Sequence, residues 1–369
     1  MSEADQPSPE VPRRAAATRR SFLTWGALAT AGGVGAVYAL ARGGGSDPAT
    51  APTTVSLPVP VGPTPTTTPG AITESPEGLT PLVTPTSEFF RIDTALTPPR
   101  VDLERWRLSI GGHVDSPITL SYDDLLALEQ VERPMTLACV SNGIGGSLVG
   151  TAIWQGVPLR ALLDRVGVRS TGTQVLARSV DGFTAGFPIE AVTDGRDALV
   201  VVGMNGEPLP VAHGFPARLV VDGLYGYVSA TKWLSAIDLV PWESASGYWI
   251  PRGWSKLGPV KTGARIDVPA AGNRVRAGRI AVAGVAWSAT GIDAVEVRMD
   301  DGPWRRAELG PSLGPTSWRQ WALRTDVDSG TRRVTIRAID GRGVTQTERE
   351  APPDPDGATG WPSRVFVVD

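Results

Sequence analysis

The sequence predicts an α+β region followed by an all-β sandwich of immunoglobulin type, and three patterns carry that prediction. Between about Glu88 and Gly258, strand-like alternation is interleaved with short helical runs. After Pro259 only short alternating strands remain, separated by turn residues. Ahead of both lies a Pro/Thr-rich stretch without any core-forming pattern. With 41% apolar residues in 369, the chain has room for two or three domains. The expected divisions are 1–45, 46–87, 88–258 and 259–369.

Taken in order, Arg19-Arg20 stands directly before an apolar run from Phe22 to Ala41. A twin arginine ahead of such a run is the pattern of a twin-arginine export signal, a route that carries already folded proteins. The run, about 20 residues long, is just enough to span a membrane at roughly 1.5 Å per residue. It also ends in Ala39-Leu40-Ala41, which resembles a cleavage site. Cleaved and tethered products are both open. Arginines on the N-terminal side put the folded part outside the cytoplasm in either case. Residues 46–87 hold ten of the 33 prolines between Ser46 and Thr86 and no lysine or arginine, which predicts an extended spacer.

Order is expected from Glu88 onward. Trp106–Ile110 alternates as a half-buried strand, and Ser121 with Asp124 opens a helix over Tyr122–Leu128. Pro158 precedes a second helix, Leu159–Val166, which Gly167 stops. Strands follow at Gln174–Ala177 and Ala198–Met204, the latter running into the turn dipeptide Asn205-Gly206. Beyond Pro259 the expected strands are Arg279–Trp287, Ala294–Met299, Arg333–Ile339 and Ser363–Val368. The immunoglobulin cysteine pair is missing.

Composition excludes several functions. A net charge of −3 gives no footprint for nucleic acid. The single cysteine, Cys139, rules out an intramolecular disulfide, and His113 and His213 are too few for a three-histidine zinc site. A lone thiol in an exported protein is exposed to oxidation unless something occupies the sulfur, and a soft transition metal does so. Lys232 is one of only three lysines among 35 basic residues.

Two long stretches then point further: MTLACVSNGIGGSLVGTAIWQGVPLRALL, from Met135 to Leu163, and GMNGEPLPVAHGFPARLVVDGLYGYVSATKWLSAI, from Gly203 to Ile237. Both resemble the molybdopterin-binding domain of the sulfite-oxidase family, and Glu88-Phe89-Phe90-Arg91 resembles that domain's leading segment. The resemblance implies a molybdenum–molybdopterin cofactor with Cys139 as the metal ligand. It also implies that Phe90, Arg91, Asn142, His213, Arg218, Ser229, Thr231 and Lys232 surround the cofactor, with Arg91 and Tyr248 beside the substrate. His113, after two glycines, reads as structural.

The implied reaction is two-electron oxygen-atom transfer on sulfite or a related oxyanion, with reduction of an envelope sulfoxide as the alternative. A non-catalytic exported binding protein is the rival of another class. Gly143-Ile144 stands where the family has a basic pair, which puts sulfite in question, and Asp222 replaces a proline at an expected turn. With no haem domain in view, electrons are expected to pass to a separate cytochrome or quinone-linked carrier. A homodimer through the C-terminal domain is the family's expectation.

Overall fold

The computed structural model describes residues 55–369 apart from Thr73. The twin-arginine segment and the apolar run after it lie outside the described residues. Among the described residues no helix is long and apolar enough to cross a membrane.

The first half contains β1 (Leu108–Gly112), β2 (Ile118–Leu120), α1 (Tyr122–Leu126), β3 (Val131–Ala138), β4 (Val149–Pro158), α2 (Leu159–Val166), β5 (Gln174–Ser179), β6 (Thr184–Pro188), α3 (Glu190–Thr193), β7 (Ala198–Met204), β8 (Glu207–Pro208), β9 (Arg218–Val221), α4 (Gly226–Ser229) and β10 (Leu234–Val240). They build two sheets, one in the order β2-β1-β10-β5-β6 and one in the order β3-β4-β7-β8, with β9 also pairing with β7. The helices are few and short, so the region is mostly β, less helical than the α+β expectation.

Where helices do form, local chemistry explains them. The Ser121 hydroxyl accepts the Asp124 N–H at 3.1 Å while the Asp124 carboxylate accepts the Ser121 N–H at 2.9 Å, a reciprocal cap on α1. That helix ends at Leu126, two residues short of expectation. The α2 helix buries Leu159, Leu162, Leu163 and Val166 on one face and ends at Gly167, whose φ of 68° suits a residue without a Cβ.

The second half contains β11 (Gly263–Val268), β12 (Arg274–Val275), β13 (Gly278–Trp287), β14 (Ile292–Met299), β15 (Arg305–Arg306), β16 (Glu308–Leu309), β17 (Arg319–Val327), β18 (Gly330–Asp340) and β19 (Ser363–Val368). Two sheets, β11-β13-β17-β16 and β12-β19-β18-β14-β15, face each other across one apolar cluster that includes Trp321, Ile336 and Phe366. This is a sandwich. Its inner end is not sealed off from the first half: Val285, Trp287 and Trp318 belong to the larger core there.

From Val55 on, the Pro/Thr-rich segment lies against the body instead of standing free, and its pairing begins well before Glu88. Val61 N–H donates to Gln130 O at 2.7 Å, Thr68 bridges to Ser312, and Ala71 N–H donates to Leu309 O at 2.8 Å. Gly70 lies so close that a Cβ there would sit 2.1 Å from the Gly310 carbonyl carbon. Further along, the Trp318 indole donates to Leu82 O at 2.7 Å. Backbone pairing and a few apolar anchors, Ile72 among them, hold this strap, which explains why no periodicity announced it.

Asp222 does more than shape a turn. Only 6% exposed, its carboxylate accepts the hydroxyl of Thr316 from the sandwich side, and its carbonyl accepts Arg196 Nη1 at 3.1 Å. Burial, reinforced by the charge of Asp197, pushes its pKa up to about 6. A folded-state pKa above the unfolded value means that stability present below about pH 4 is lost as pH rises through 6. Asp222→Asn should therefore raise unfolding stability at pH 8 by about 1–3 kcal/mol, a gain that vanishes near pH 4. Urea unfolding at pH 4, 6 and 8 measures it, and an equal effect at all three would show that the carboxylate is not the cause.

Candidate active site

Strand β3 is buried through Met135, Leu137 and Ala138 and delivers Cys139 just past its end. The loop that follows doubles back: Cys139 N–H donates to Leu148 O at 2.9 Å, and Asn142 N–H donates to Cys139 O at 3.0 Å. Asn142 Oδ1 accepts the Leu148 N–H at 2.9 Å, so that side chain braces the loop from inside. It lines a smaller cleft toward Lys261 and Gln346, not the space in front of the sulfur.

That space is a cavity open to solvent, about 1040 Å³ when the solvent at its mouth is counted. Cys139 lies in its wall with Phe90, Asp93, His213, Arg218 and Lys232. Cys139 keeps some accessible surface, and keeps it as cavity wall. Burial pushes its thiol pKa up, while the N–H and hydroxyl of Ser141 pull it down. An adjacent metal ion or cation would favour the thiolate.

Arg218, on β9, is 5% exposed. Its Nη1 donates to His213 O at 3.0 Å, its guanidinium lies 4.9 Å from the centre of the Trp154 ring, and its Nε has no partner. No carboxylate among the described residues lies within ion-pairing distance. Burial lowers its pKa to about 9, still on the charged side of neutrality. An isolated buried cation is costly, by several kcal/mol on the usual scale, unless an anion joins it.

Lys232 and Arg91 share one counter-charge. The Lys232 ammonium contacts one oxygen of Asp93, and Arg91 Nη2 donates to the other at 3.3 Å. Burial, then the charge of Arg91, push Lys232 down to about 7; contact with the Asp93 carboxylate favours the charged form. Arg91 Nε is buried without a partner, and Arg91 itself stands behind the cavity wall. His213 Nε2 lies 3.1 Å from Thr86 O, an acceptor, so this nitrogen carries the proton and Nδ1 is left as an acceptor. Burial, with Arg218 adding to it, lowers the His213 pKa to about 4, so the ring is neutral at pH 7.

Other expected residues lie elsewhere. The Ser229 hydroxyl donates back to Tyr225 O at 3.0 Å and to Leu224 O at 3.3 Å, spending itself within α4. Thr231 is fully buried with an unpartnered hydroxyl, outside the cavity wall. Tyr248 is not in the wall either: the Arg252 guanidinium covers its ring at 3.6 Å, and Trp249 packs against it edge-on at 5.2 Å. The neighbouring Trp249 and Trp254 line the cavity in its place. His113 sits away from it, Nδ1 2.6 Å from Thr171 Oγ1. Residues that motif reading missed are Asp93, Asp181, Phe183, Trp249 and Trp254. The Asp181-Gly182 turn dipeptide between two strand-like runs was the available signal for one of them.

The orphaned Nε donor of Arg218 and its uncompensated charge, both at the cavity wall, fit an anionic, acceptor-rich cofactor. Among the described residues no group of three or more histidine, cysteine or acidic side chains could hold a metal alone, so a metal beside Cys139 suits a cofactor that brings its own donors.

Comparison with known proteins agrees. Residues 95–249 match the family described as oxidoreductase molybdopterin binding domain. The mitochondrial sulfite oxidase of Homo sapiens is 29% identical over 328 residues, 75% of this chain and 60% of that protein. The uncharacterized oxidoreductase YuiH of Bacillus subtilis (strain 168) is 32% identical over 173 residues, 47% of this chain and 84% of that protein. The sulfane dehydrogenase SoxCD from Paracoccus pantotrophus shares the fold, with a TM-score of 0.68 at 23% identity, over 81% of this chain and 89% of that one. The chain thus spans about 60% of the length of the mitochondrial sulfite oxidases it matches.

Fold and site together define a cofactor-dependent oxidoreductase. The chain belongs to the sulfite-oxidase family of molybdopterin oxidoreductases.

Replacing Arg218 by methionine removes the unpaired charge but keeps the volume. Metal-free Arg218→Met protein should unfold at the same or a higher temperature, up to about 1–3 kcal/mol more stable. Its pterin content should fall by roughly tenfold, the loss expected when a charge-assisted contact goes. Full pterin occupancy would show that Arg218 does not hold the cofactor.

Proposed function

We propose that this chain catalyses two-electron oxygen-atom transfer on a small organic substrate, with a sulfoxide favoured over an oxyanion. The observation that carries the reading is the convergence of Cys139, uncompensated Arg218 and Lys232 on one cavity. When bound, the molybdenum–molybdopterin supplies the two-electron redox change and the exchange of an oxygen atom. Cys139 is the protein's ligand to the metal. Arg218 and Lys232, on the same cavity wall, balance the cofactor's negative charge, and neutral His213 offers Nδ1 to a cofactor N–H. A purely binding role would leave Arg218 without a counter-charge, which counts against the rival class.

The substrate reading rests on charge. A small oxyanion needs cations of its own, yet Arg91 is engaged with Asp93 behind the wall, and Gly143-Ile144 supplies no basic pair. Asp181, with no cationic partner among the described residues, puts a carboxylate in the wall, and seven of the lining residues are phenylalanine, tyrosine or tryptophan. A sulfoxide is neutral at the reacting group. Its reduction takes up two electrons and two protons, breaks the S–O bond and yields a thioether and water, with a separate reduced cytochrome or quinone-linked carrier as electron source. The sandwich, of immunoglobulin type in this reading, takes no part in the chemistry.

Cofactor-loaded protein supplied with a reduced dye should turn over dimethyl sulfoxide faster than it oxidises sulfite with an oxidised dye. Cys139→Ser should keep most of its pterin yet lose nearly all turnover, because an alkoxide is a harder and more basic ligand than a thiolate. Near-normal turnover per bound cofactor in that variant would overturn the site.

Arg19-Arg20 and the apolar run after it support a location outside the cytoplasm. Replacing both arginines with lysine should leave the loaded protein in the cytoplasm on fractionation; unchanged export would remove this part of the proposal.

A further inference from the structure

The rim of the cavity carries a feature that oxygen transfer does not use. Strands β5 and β6 form a hairpin whose turn presents Asp181 and Phe183 to the cavity. Asp181 Oδ1 accepts the Phe183 N–H at 3.0 Å, a local turn that fixes the carboxylate to its own backbone. Its other oxygen accepts the Thr94 hydroxyl at 3.3 Å, and Thr94 lines the same cavity. Asp181 is exposed, and no lysine or arginine among the described residues pairs with it.

Beside the hairpin, the Tyr248 N–H donates to Thr184 O at 2.8 Å, tying the tryptophan-bearing segment to the edge of β6. Trp249 and Trp254 then enter the wall with ring centres 6.4 Å apart, and Tyr227 meets Trp254 at 5.8 Å. Asp181 thus shares one cavity with Trp249, Trp254 and Tyr227, and a carboxylate and aromatic rings in one cavity are the chemistry that receives a soft organic cation, which negative charge and ring quadrupoles both attract. The same negative charge repels small anions.

We infer that Asp181 and the surrounding aromatic wall select a substrate with an apolar body and a positively charged, alkylated ammonium group set back from the reacting atom. This rests on the oxygen-transfer reading only for which atom reacts. Recognition itself belongs to the rim and is separately measurable. Asp181 positions the cation, and Trp249, Trp254 and Tyr227 desolvate it.

The test uses the full cofactor-loaded protein and three methyl propyl sulfoxides that share one carbon skeleton and end in trimethylammonium, methyl ester or carboxylate. With a reduced dye as electron source, kcat/KM should fall in that order, by roughly tenfold from first to last, as a neighbouring charge at partly screened distance predicts. Asp181→Asn should bring the trimethylammonium and carboxylate substrates within about twofold of one another. In parallel, tetramethylammonium should quench the tryptophan fluorescence of the wild-type protein, and Asp181→Asn should need roughly tenfold more of it.

Equal kcat/KM for the three sulfoxides together with equal quenching in both proteins would overturn the inference and leave oxygen transfer standing. No turnover of any sulfoxide, with quenching that still depends on Asp181, would uphold the rim and overturn the proposed reaction.

Discussion

Everything around the cavity depends on one constraint: a guanidinium sits in the dry interior with no carboxylate to meet it. Arg218 is anchored on β9, which is itself paired to fully buried β7, so the charge is held at the cavity wall. A fold that keeps such a group must recover its cost from a ligand. The neighbours are consistent with that demand. His213 is pushed toward neutrality and adds no second charge, and Asp93 takes up Lys232 and Arg91 but lies out of ion-pairing reach of Arg218. The cavity thus has an internal division, with a cationic interior built for a cofactor and a rim where carboxylate and aromatic groups face whatever comes from solution.

Much of this was legible where the signal was local. Helix α2 was readable residue by residue because its apolar spacing and the terminating Gly167 lie within nine residues of each other. Strand β7 was readable because it is buried on both faces and closed by Asn205-Gly206, whose positive φ angles suit that dipeptide. Cys139, Arg218, His213 and Lys232 were found through long motifs, and they do share a cavity. Motif position does not fix where a side chain goes, however. Ser229 turns its hydroxyl back onto α4, and Tyr248 gives up the wall to Trp249 one residue later.

What stayed hidden is non-local. Asp93 matters because Lys232 reaches it from 139 residues away in the chain, and Asp181 because Thr94 does so across 87. The strap from Val55 was hidden for a different reason. Its composition describes a chain unable to form a core by itself, and that is correct, since it borrows the edges of cores made by others.

The strap also dictates an order of assembly. Its contacts to the sandwich span 236 residues at Leu82 and Trp318 and 250 at Glu74 and Arg324. A chain synthesised from its N-terminus can pair the strap with the first half, at Gln130 and Thr151, well before these sandwich contacts form, which need almost nine-tenths of its length. The residues immediately after the strap, Phe89 to Thr94, form the front wall of the cavity. The strap is thus anchored in two stages, first to the half that carries the cavity and last to the sandwich, like a belt threaded early and buckled late.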